Sequence, residues 1–375
     1  MDGPNRAPTM PLPRSFLAAS CVAIGCATSL AGCAADAQAP TAAPRPHHTQ
    51  DGFRNPDGNA APRPLSDLLR WKWQAWREGV PKAPQHPTPA VAPELAALRA
   101  NTAPGRPSAT WIGHASVLVQ AGGLNVLTDP VFSERASPVQ FAGPQRAQPP
   151  GIALADLPTI DVVLVSHNHY DHLDRSTIVQ LNARGAGRTV FLVPLGLKAW
   201  MQAQGVHNVF ELDWWDTHAV RGVPFQLVPE QHWSARSLGD RNQTLWGGWA
   251  VRAPDLHWYF SGDTGYGAHF RETRTRGGAF DLALLAIGSY EPRWFMREQH
   301  MNPAEAVQAH RDLGARQSIG IHWGTFSLTD EALDQPPRDL AQARAAAGIA
   351  ESEVGVLAIG QTRWLPAREA RQSAP

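Results

Sequence analysis

The sequence predicts an α/β (α+β) fold in which two mixed β-sheets are faced by helices. Short apolar, β-branched runs bounded by polar residues recur along the chain, as at residues 161–165, 223–228 and 281–287, and read as buried strands. Helical signals follow them. At Asn302-Pro303-Ala304-Glu305, Asn serves as N-cap, Pro takes the first helical position and Glu completes a capping box. Strands cluster in the first part of each half of the chain and helices come after, the element order of two helix-faced sheets.

Residues 1–32 read as an export signal. Arg14 precedes an apolar segment at residues 16–30 that is too short to span a bilayer comfortably and is followed by small residues. Its end, Leu30-Ala31-Gly32-Cys33, resembles a bacterial lipoprotein signal, which implies cleavage before Cys33 and lipidation of that residue. Several acyl chains together anchor firmly, because each buried methylene contributes about 0.8 kcal/mol. Ala34 after the Cys favours the outer membrane, on its periplasmic or surface side. A flexible tether, residues 33–62, is mostly Ala, Pro, Gln, Gly and Asp, so it cannot build a core, and His47 and His48 within it are expected to be solvated.

A helical extension and Pro-rich linker occupy residues 63–107. Apolar side chains at helical spacing over residues 65–76 predict an amphipathic helix. Its Trp71, Trp73 and Trp76 are expected to pack on the main domain, a membrane or substrate-groove contact being the alternative. The main domain spans residues 108–366, with a tail at residues 367–375. It opens with strands at residues 109–120 and 124–129, joined by the hairpin turn Ala121-Gly122-Gly123. Next come strand 161–165, a short helix at 176–182, and strands at 189–193, 223–228, 257–261 and 281–287. The helix opened by Asn302 ends at Gly314; strand 317–321, helix 337–347 and strand 354–358 complete the series.

Composition narrows the function. Lys+Arg and Asp+Glu both number 33, so there is no overall electrostatic footprint for nucleic acid or for an anionic lipid surface, although local patches remain possible. Cys21, Cys26 and Cys33 all lie in the first tenth of the chain, so the main domain cannot form a disulfide.

Chemistry concentrates at Ser166-His167-Asn168-His169-Tyr170-Asp171-His172, directly after strand 161–165. Imidazoles and a carboxylate at the carboxyl end of a strand can point into one cleft, and they are ligands that zinc accepts. The pattern repeats downstream. His232 follows strand 223–228, Asp263 lies between glycines in Phe260-Ser-Gly-Asp-Thr-Gly-Tyr266, and His322 follows strand 317–321. Core packing does not account for a His or Asp at four strand ends. His207, His218, His257, His269 and His310 have no comparable setting.

His167-x-His169-x-Asp171-His172 with His232, Asp263 and His322 resembles the metallo-β-lactamase superfamily, over roughly residues 108–365. Trp111-Ile-Gly-His-Ala-Ser116, Thr128-Asp-Pro-Val-Phe-Ser133, Gln231-His-Trp233 and Gln299-His-Met-Asn-Pro-Ala-Glu-Ala-Val307 look like its N-acylphosphatidylethanolamine-hydrolysing phospholipase D subgroup. The resemblance implies a four-layer αβ/βα sandwich. It also implies two zinc ions, other divalent metals being possible: one held by His167, His169 and His232, the second by Asp171, His172 and His322, with Asp263 bridging. Such a pair lowers the pKa of a shared water and clamps the entering and leaving oxygens of a displacement at phosphorus. Asp171 would also aim the attacking oxygen and so act catalytically.

Four further residues support this site. Asp129 is expected to hold a ligating imidazole or to cap the Asp129-Pro130 turn. His114 is expected to be buried and bonded to backbone beside the site. His300, just before a helix N-terminus that disfavours its protonation, is expected to orient a phosphoryl oxygen or pass a proton, or else to bond a loop carbonyl. Trp233 is expected to line the substrate pocket.

The leading functional reading is a metal-dependent phosphodiesterase that acts on membrane phospholipid from a lipid anchor. A lactonase related to ascorbate-6-phosphate lactonase is the enzymatic alternative, because the ligand set serves attack at phosphorus or at a carbonyl. A non-catalytic metal-binding lipoprotein is the alternative of another class. Zero net charge and an export signal argue against a nuclease.

Overall fold

The structure, a computed structural model, describes residues 45–58, 63–102 and 105–368. The export signal, the lipidation residue Cys33 and residues 369–375 of the tail lie outside the described residues. The described chain begins with the strand pair β1 (His48–Thr49) and β2 (Gly52–Phe53), then α1 (Leu65–Glu78) and α2 (Leu95–Ala100). β3 (Ser108–Gly113), β4 (Ser116–Ala121), β5 (Leu124–Thr128), β6 (Val162–Leu164), α3 (Arg175–Arg184), β7 (Val190–Pro194), α4 (Lys198–Ala203) and β8 (Val209–Leu212) follow. The second half holds β9 (Thr217–Val220), β10 (Val223–Val228), β11 (Gly248–Arg252), β12 (His257–Phe260), α5 (His269–Gly277), β13 (Leu282–Ala286) and α6 (Arg293–Met296). It continues with α7 (Pro303–Leu313), β14 (Gln317–Ile321), α8 (Gln335–Ala346), β15 (Val354–Gly355) and β16 (Thr362–Trp364).

Two seven-stranded sheets result, with orders β16-β3-β4-β5-β6-β7-β8 and β15-β14-β13-β12-β11-β10-β9. Each is antiparallel at one end and parallel at the other, the change coming at β5 in the first sheet and at β12 in the second. Alternation along the strands explains the layers. On β4, Val117 and Val119 join the larger core with Trp249 and Trp258 of the second sheet, whereas Leu118 turns to the other face, toward Ile178 of α3 and Met201 of α4. Helices α7 and α8 contribute Ala306, Val307 and Leu340 to the larger core. The order of layers is therefore helices, sheet, sheet, helices.

Three sequence expectations are corrected. Residues 109–120 are not one strand but the hairpin of β3 and β4, with Gly113 at φ 136° and His114 at φ 54° in the turn. The apolar pattern runs through that turn and hid it. Nor do residues 45–58 behave as a tether with both histidines solvated: His48 is exposed as expected, His47 is not. His47 is buried, its Nε2–H donates to Asp213 Oδ1 (2.6 Å), and its ring lies 4.1 Å from that of Trp214. His48 Nε2–H donates to the other oxygen of Asp213 (2.8 Å). The segment needs no core of its own because it is clamped to one already built.

Of the three tryptophans of α1, only Trp71 packs inward. Its ring sits 4.9 Å from Phe295 and its Nε1–H donates to Asp330 Oδ2 (2.9 Å), whereas Trp73 and Trp76 are exposed. No helix among the described residues is long and apolar enough to cross a membrane.

Candidate metal centre

Four strand ends converge on one site. The loop after β6 carries His167, His169, Asp171 and His172; His232 follows β10, Asp263 follows β12, and His322 follows β14 directly. Two donor groups form there: His167, His169 and His232, and His172 and His322 with Asp171 and His114. In the first, His169 Nδ1 lies 2.8 Å from His167 Nε2 and 3.3 Å from His232 Nε2. In the second, His172 Nε2 faces His322 Nε2 at 3.2 Å, and Asp171 Oδ2 is 3.4 Å from each. Asp263 stands between them. Its Oδ2 is 3.1 Å from His172 Nε2, 3.8 Å from His232 Nε2 and 4.0 Å from His167 Nε2, while its Oδ1 is 3.1 Å from His322 Nε2.

The outer hydrogen bonds determine which ring nitrogens point inward. Ser166 Oγ gives its proton to Asp129 Oδ2 (2.5 Å) and so accepts from His167 Nδ1–H (2.9 Å). His172 Nδ1–H donates to Asp129 Oδ2 (2.6 Å), and His232 Nδ1–H donates to the Gln299 carbonyl (3.0 Å). With their outer nitrogens protonated, the inner nitrogens of neutral His167 and His232 carry lone pairs. Lone pairs facing one another at about 3 Å lack donors, and a cation between them supplies what they need. The buried, unpartnered His300 Nδ1 lies 4.0 Å from Asp263 Oδ2 beside them. The donor set therefore fits divalent ions.

Electrostatics split the two groups. Burial, reinforced by the neighbouring imidazoles, holds His167 well below the usual imidazole range; burial takes His169 to about 4 and His232 to about 3. His172 and His322 are just as buried, yet facing carboxylates outweigh burial. Asp263, Asp171 and Asp129 hold His172 well above its ordinary value, and Asp263 with Asp171 raises His322 to about 9. Asp171 and Asp263 resist burial in turn and lie well below the usual carboxylate range, because His172 and its neighbours face them.

The supporting residues are placed as follows. Asp129 binds both Ser166 N (2.7 Å) and His172, so it holds an imidazole rather than merely a turn. The side chain of His114 goes to a carboxylate, not to backbone: its Nε2–H donates to Asp171 Oδ2 (3.0 Å). His114, Asp129 and His322 all adopt positive φ, at 54°, 31° and 62°, a strained backbone that aims these side chains at the centre. His300 is buried, with its ring 5.1 Å from that of His232 and its Nδ1 4.0 Å from Asp263 Oδ2. Burial lowers its pKa to about 3. Trp233 is half-buried, 4.2 Å from the His169 ring, and carries the Arg241 guanidinium 4.1 Å from its own ring. His269 lies away from the donor groups, its Nε2–H donating to buried Glu230 Oε2 (2.9 Å).

Two supports had no local signal in the sequence. Asn55 Oδ1 accepts from His232 N (2.9 Å) and Trp246 Nε1 (3.1 Å), and Arg236 Nη1 donates to the carbonyls of Asn168 (2.7 Å) and Leu173 (2.8 Å). Replacing Asp129 with Asn, which keeps the shape and removes the charge facing His172, is expected to weaken metal affinity roughly 10–100-fold. A chelator-competition titration checks this, and unchanged affinity would assign Asp129 to the turn alone.

The fold and this donor set define a class, the metal-dependent hydrolases of the metallo-β-lactamase fold. The beta-lactamase superfamily domain matches residues 124–323, more than half of the chain, and the chain belongs to that superfamily. Within it, the chain is 44% identical over 241 residues to N-acyl-phosphatidylethanolamine-hydrolyzing phospholipase D 1 of Caenorhabditis elegans, covering 62% of this chain and 67% of the relative. It is 30% identical over 236 residues to a metal-dependent hydrolase of Methanopyrus kandleri, covering 62% of this chain and 90% of that one. Among solved structures, an isothiocyanate hydrolase from Delia radicum gut bacteria shares the fold at 21% identity and a TM-score of 0.56, over 69% of this chain and all (100%) of the other.

Proposed function

We propose that this protein is a dinuclear zinc phosphodiesterase that hydrolyses N-acylphosphatidylethanolamine or a related phospholipid. The observation that carries the proposal is Asp263, a single carboxylate placed to face both donor groups. One ion would be held by His167, His169 and His232 and the other by Asp171, His172 and His322, with Asp263 shared. Bound there, the pair supplies Lewis acidity at the phosphoryl oxygens and makes an attacking water acidic.

The chain's own residues do the rest. Asp171, held by His114, accepts a hydrogen bond from the attacking water and aims it. His300 sets its unpartnered Nδ1 toward the centre, where its N–H orients a phosphoryl oxygen. Trp233 walls the pocket beside His169. The similarity to the nematode phospholipase D supports phosphorus over carbonyl as the atom attacked. Anchoring in the outer membrane through Cys33 belongs to the same reading, because it keeps the enzyme where its substrate lies.

The test is metal content together with turnover. Purified protein is expected to carry two zinc ions per chain and to hydrolyse bis-p-nitrophenyl phosphate, with activity lost on chelation and restored by zinc. Bound zinc without turnover on this compound or on phospholipid would support a metal-binding lipoprotein instead.

A further inference from the structure

We propose that the outward face of α1 is a docking surface for a bilayer carrying anionic phospholipid headgroups. Leu65, Leu69, Trp73 and Trp76 are 68%, 61%, 55% and 79% exposed and follow one another at helical spacing, which makes them a single solvent-facing stripe. The stripe holding the helix to the protein is separate: Trp71 and Ala75 cluster with Phe295 and Met296. α1 is thus apolar over more of its circumference than the protein covers.

Charge identifies the occupant. Residues 63–82 contain Arg63, Arg70, Lys72, Arg77 and Lys82 against Asp67 and Glu78, in a chain of zero net charge. Arg63 pairs with Glu298 (3.4 Å) and Arg77 with Glu78 (3.3 Å), so the positive excess rests on Arg70, Lys72 and Lys82. Trp and Leu on one face with basic residues beside them are the composition of a helix lying in a membrane interface, where Trp is at home and cations meet anionic headgroups. A second copy of the chain fits less well, because a two-fold contact would bring this positive segment against itself.

The position of the helix adds a consequence that rests on the phospholipid reading. α1 packs on α6, and four residues beyond α6 the chain reaches His300, whose N–H donates to the Met296 carbonyl (2.9 Å). Docking through α1 would keep the segment carrying His300 one helix diameter, about 10 Å, from the bilayer from which the substrate comes.

The experiment uses the full chain with vesicles of phosphatidylcholine, with and without phosphatidylglycerol. It reads hydrogen exchange in residues 65–78 and partitioning, for the wild type and for W73S/W76S, whose side chains are exposed in the fold. Slowed exchange over α1 on the mixed vesicles is expected, with partitioning of the variant weaker by roughly tenfold or more. Its hydrolysis of soluble bis-p-nitrophenyl phosphate should stay unchanged. Unaltered exchange with equal partitioning would overturn the proposal. So would concentration-dependent self-association that the double substitution abolishes, which would make the stripe an interface between copies. Neither lipid readout involves turnover, so failure of the phosphodiesterase reading would leave the docking result intact.

Discussion

Replacing Asp263 with Asn is expected to abolish metal binding and activity together. Its two oxygens are 3.1 Å from His172 Nε2 and 3.1 Å from His322 Nε2, and Oδ2 also reaches toward His232 and His167. No other described carboxylate stands in that relation to both groups: Asp171 Oδ2 meets His114, His172 and His322, and Asp129 binds their outer side. An amide of the same shape keeps the packing and loses the charge that two divalent ions require. Because the ions supply several kcal/mol of transition-state stabilisation, kcat/KM should fall by about 10³-fold or more. Metal analysis beside circular dichroism is the check. A folded variant that retains both ions and most of its activity would remove Asp263 from the bridging position.

The second large effect is expected at His300, and it has the opposite metal signature. Its Nδ1 is buried, unpartnered and 4.0 Å from Asp263 Oδ2, so the side chain faces the centre without belonging to either proposed ligand trio. His300→Ala should keep both ions and lower kcat by about 10²–10⁴-fold, the range for a positioned proton-transfer or hydrogen-bonding group. His300→Gln, which retains an N–H donor, should recover part of that loss. Together with His232 and Asp263, however, His300 also forms a group able to hold a cation. Loss of one ion in His300→Ala would therefore make it a ligand.

Much of the centre was legible because its residues lie at strand ends. His167, His169, Asp171 and His172 are nearly contiguous, and His232, Asp263 and His322 each follow an apolar run. The Asn302 capping box is present in full, with Glu305 N–H donating to Asn302 Oδ1 (2.9 Å) and Asn302 N–H to Glu305 Oε2 (3.0 Å). Apart from the buried central strand β11, whose Gly248-Trp-Ala-Val-Arg252 is missing from the sequence expectations, what the sequence hid falls into two physical kinds. Edge strands such as β9 and β16 are half-exposed and lack an apolar run to announce them. Long-range polar contacts carry no local pattern at all. His114 meets Asp171 across 57 residues, and Asn55 meets the His232 backbone across 177, inside a segment whose composition predicts a tether.

The most direct test of the account is hydrolysis of N-acylphosphatidylethanolamine by the zinc-loaded protein in ¹⁸O-labelled water, with the products read by mass spectrometry. Attack at phosphorus breaks the bond to the ethanolamine oxygen, so N-acylethanolamine should leave unlabelled and phosphatidic acid should gain one ¹⁸O. Label in a released fatty acid, or no cleavage of this lipid by protein that holds its metals, would contradict a phosphodiesterase built around Asp263.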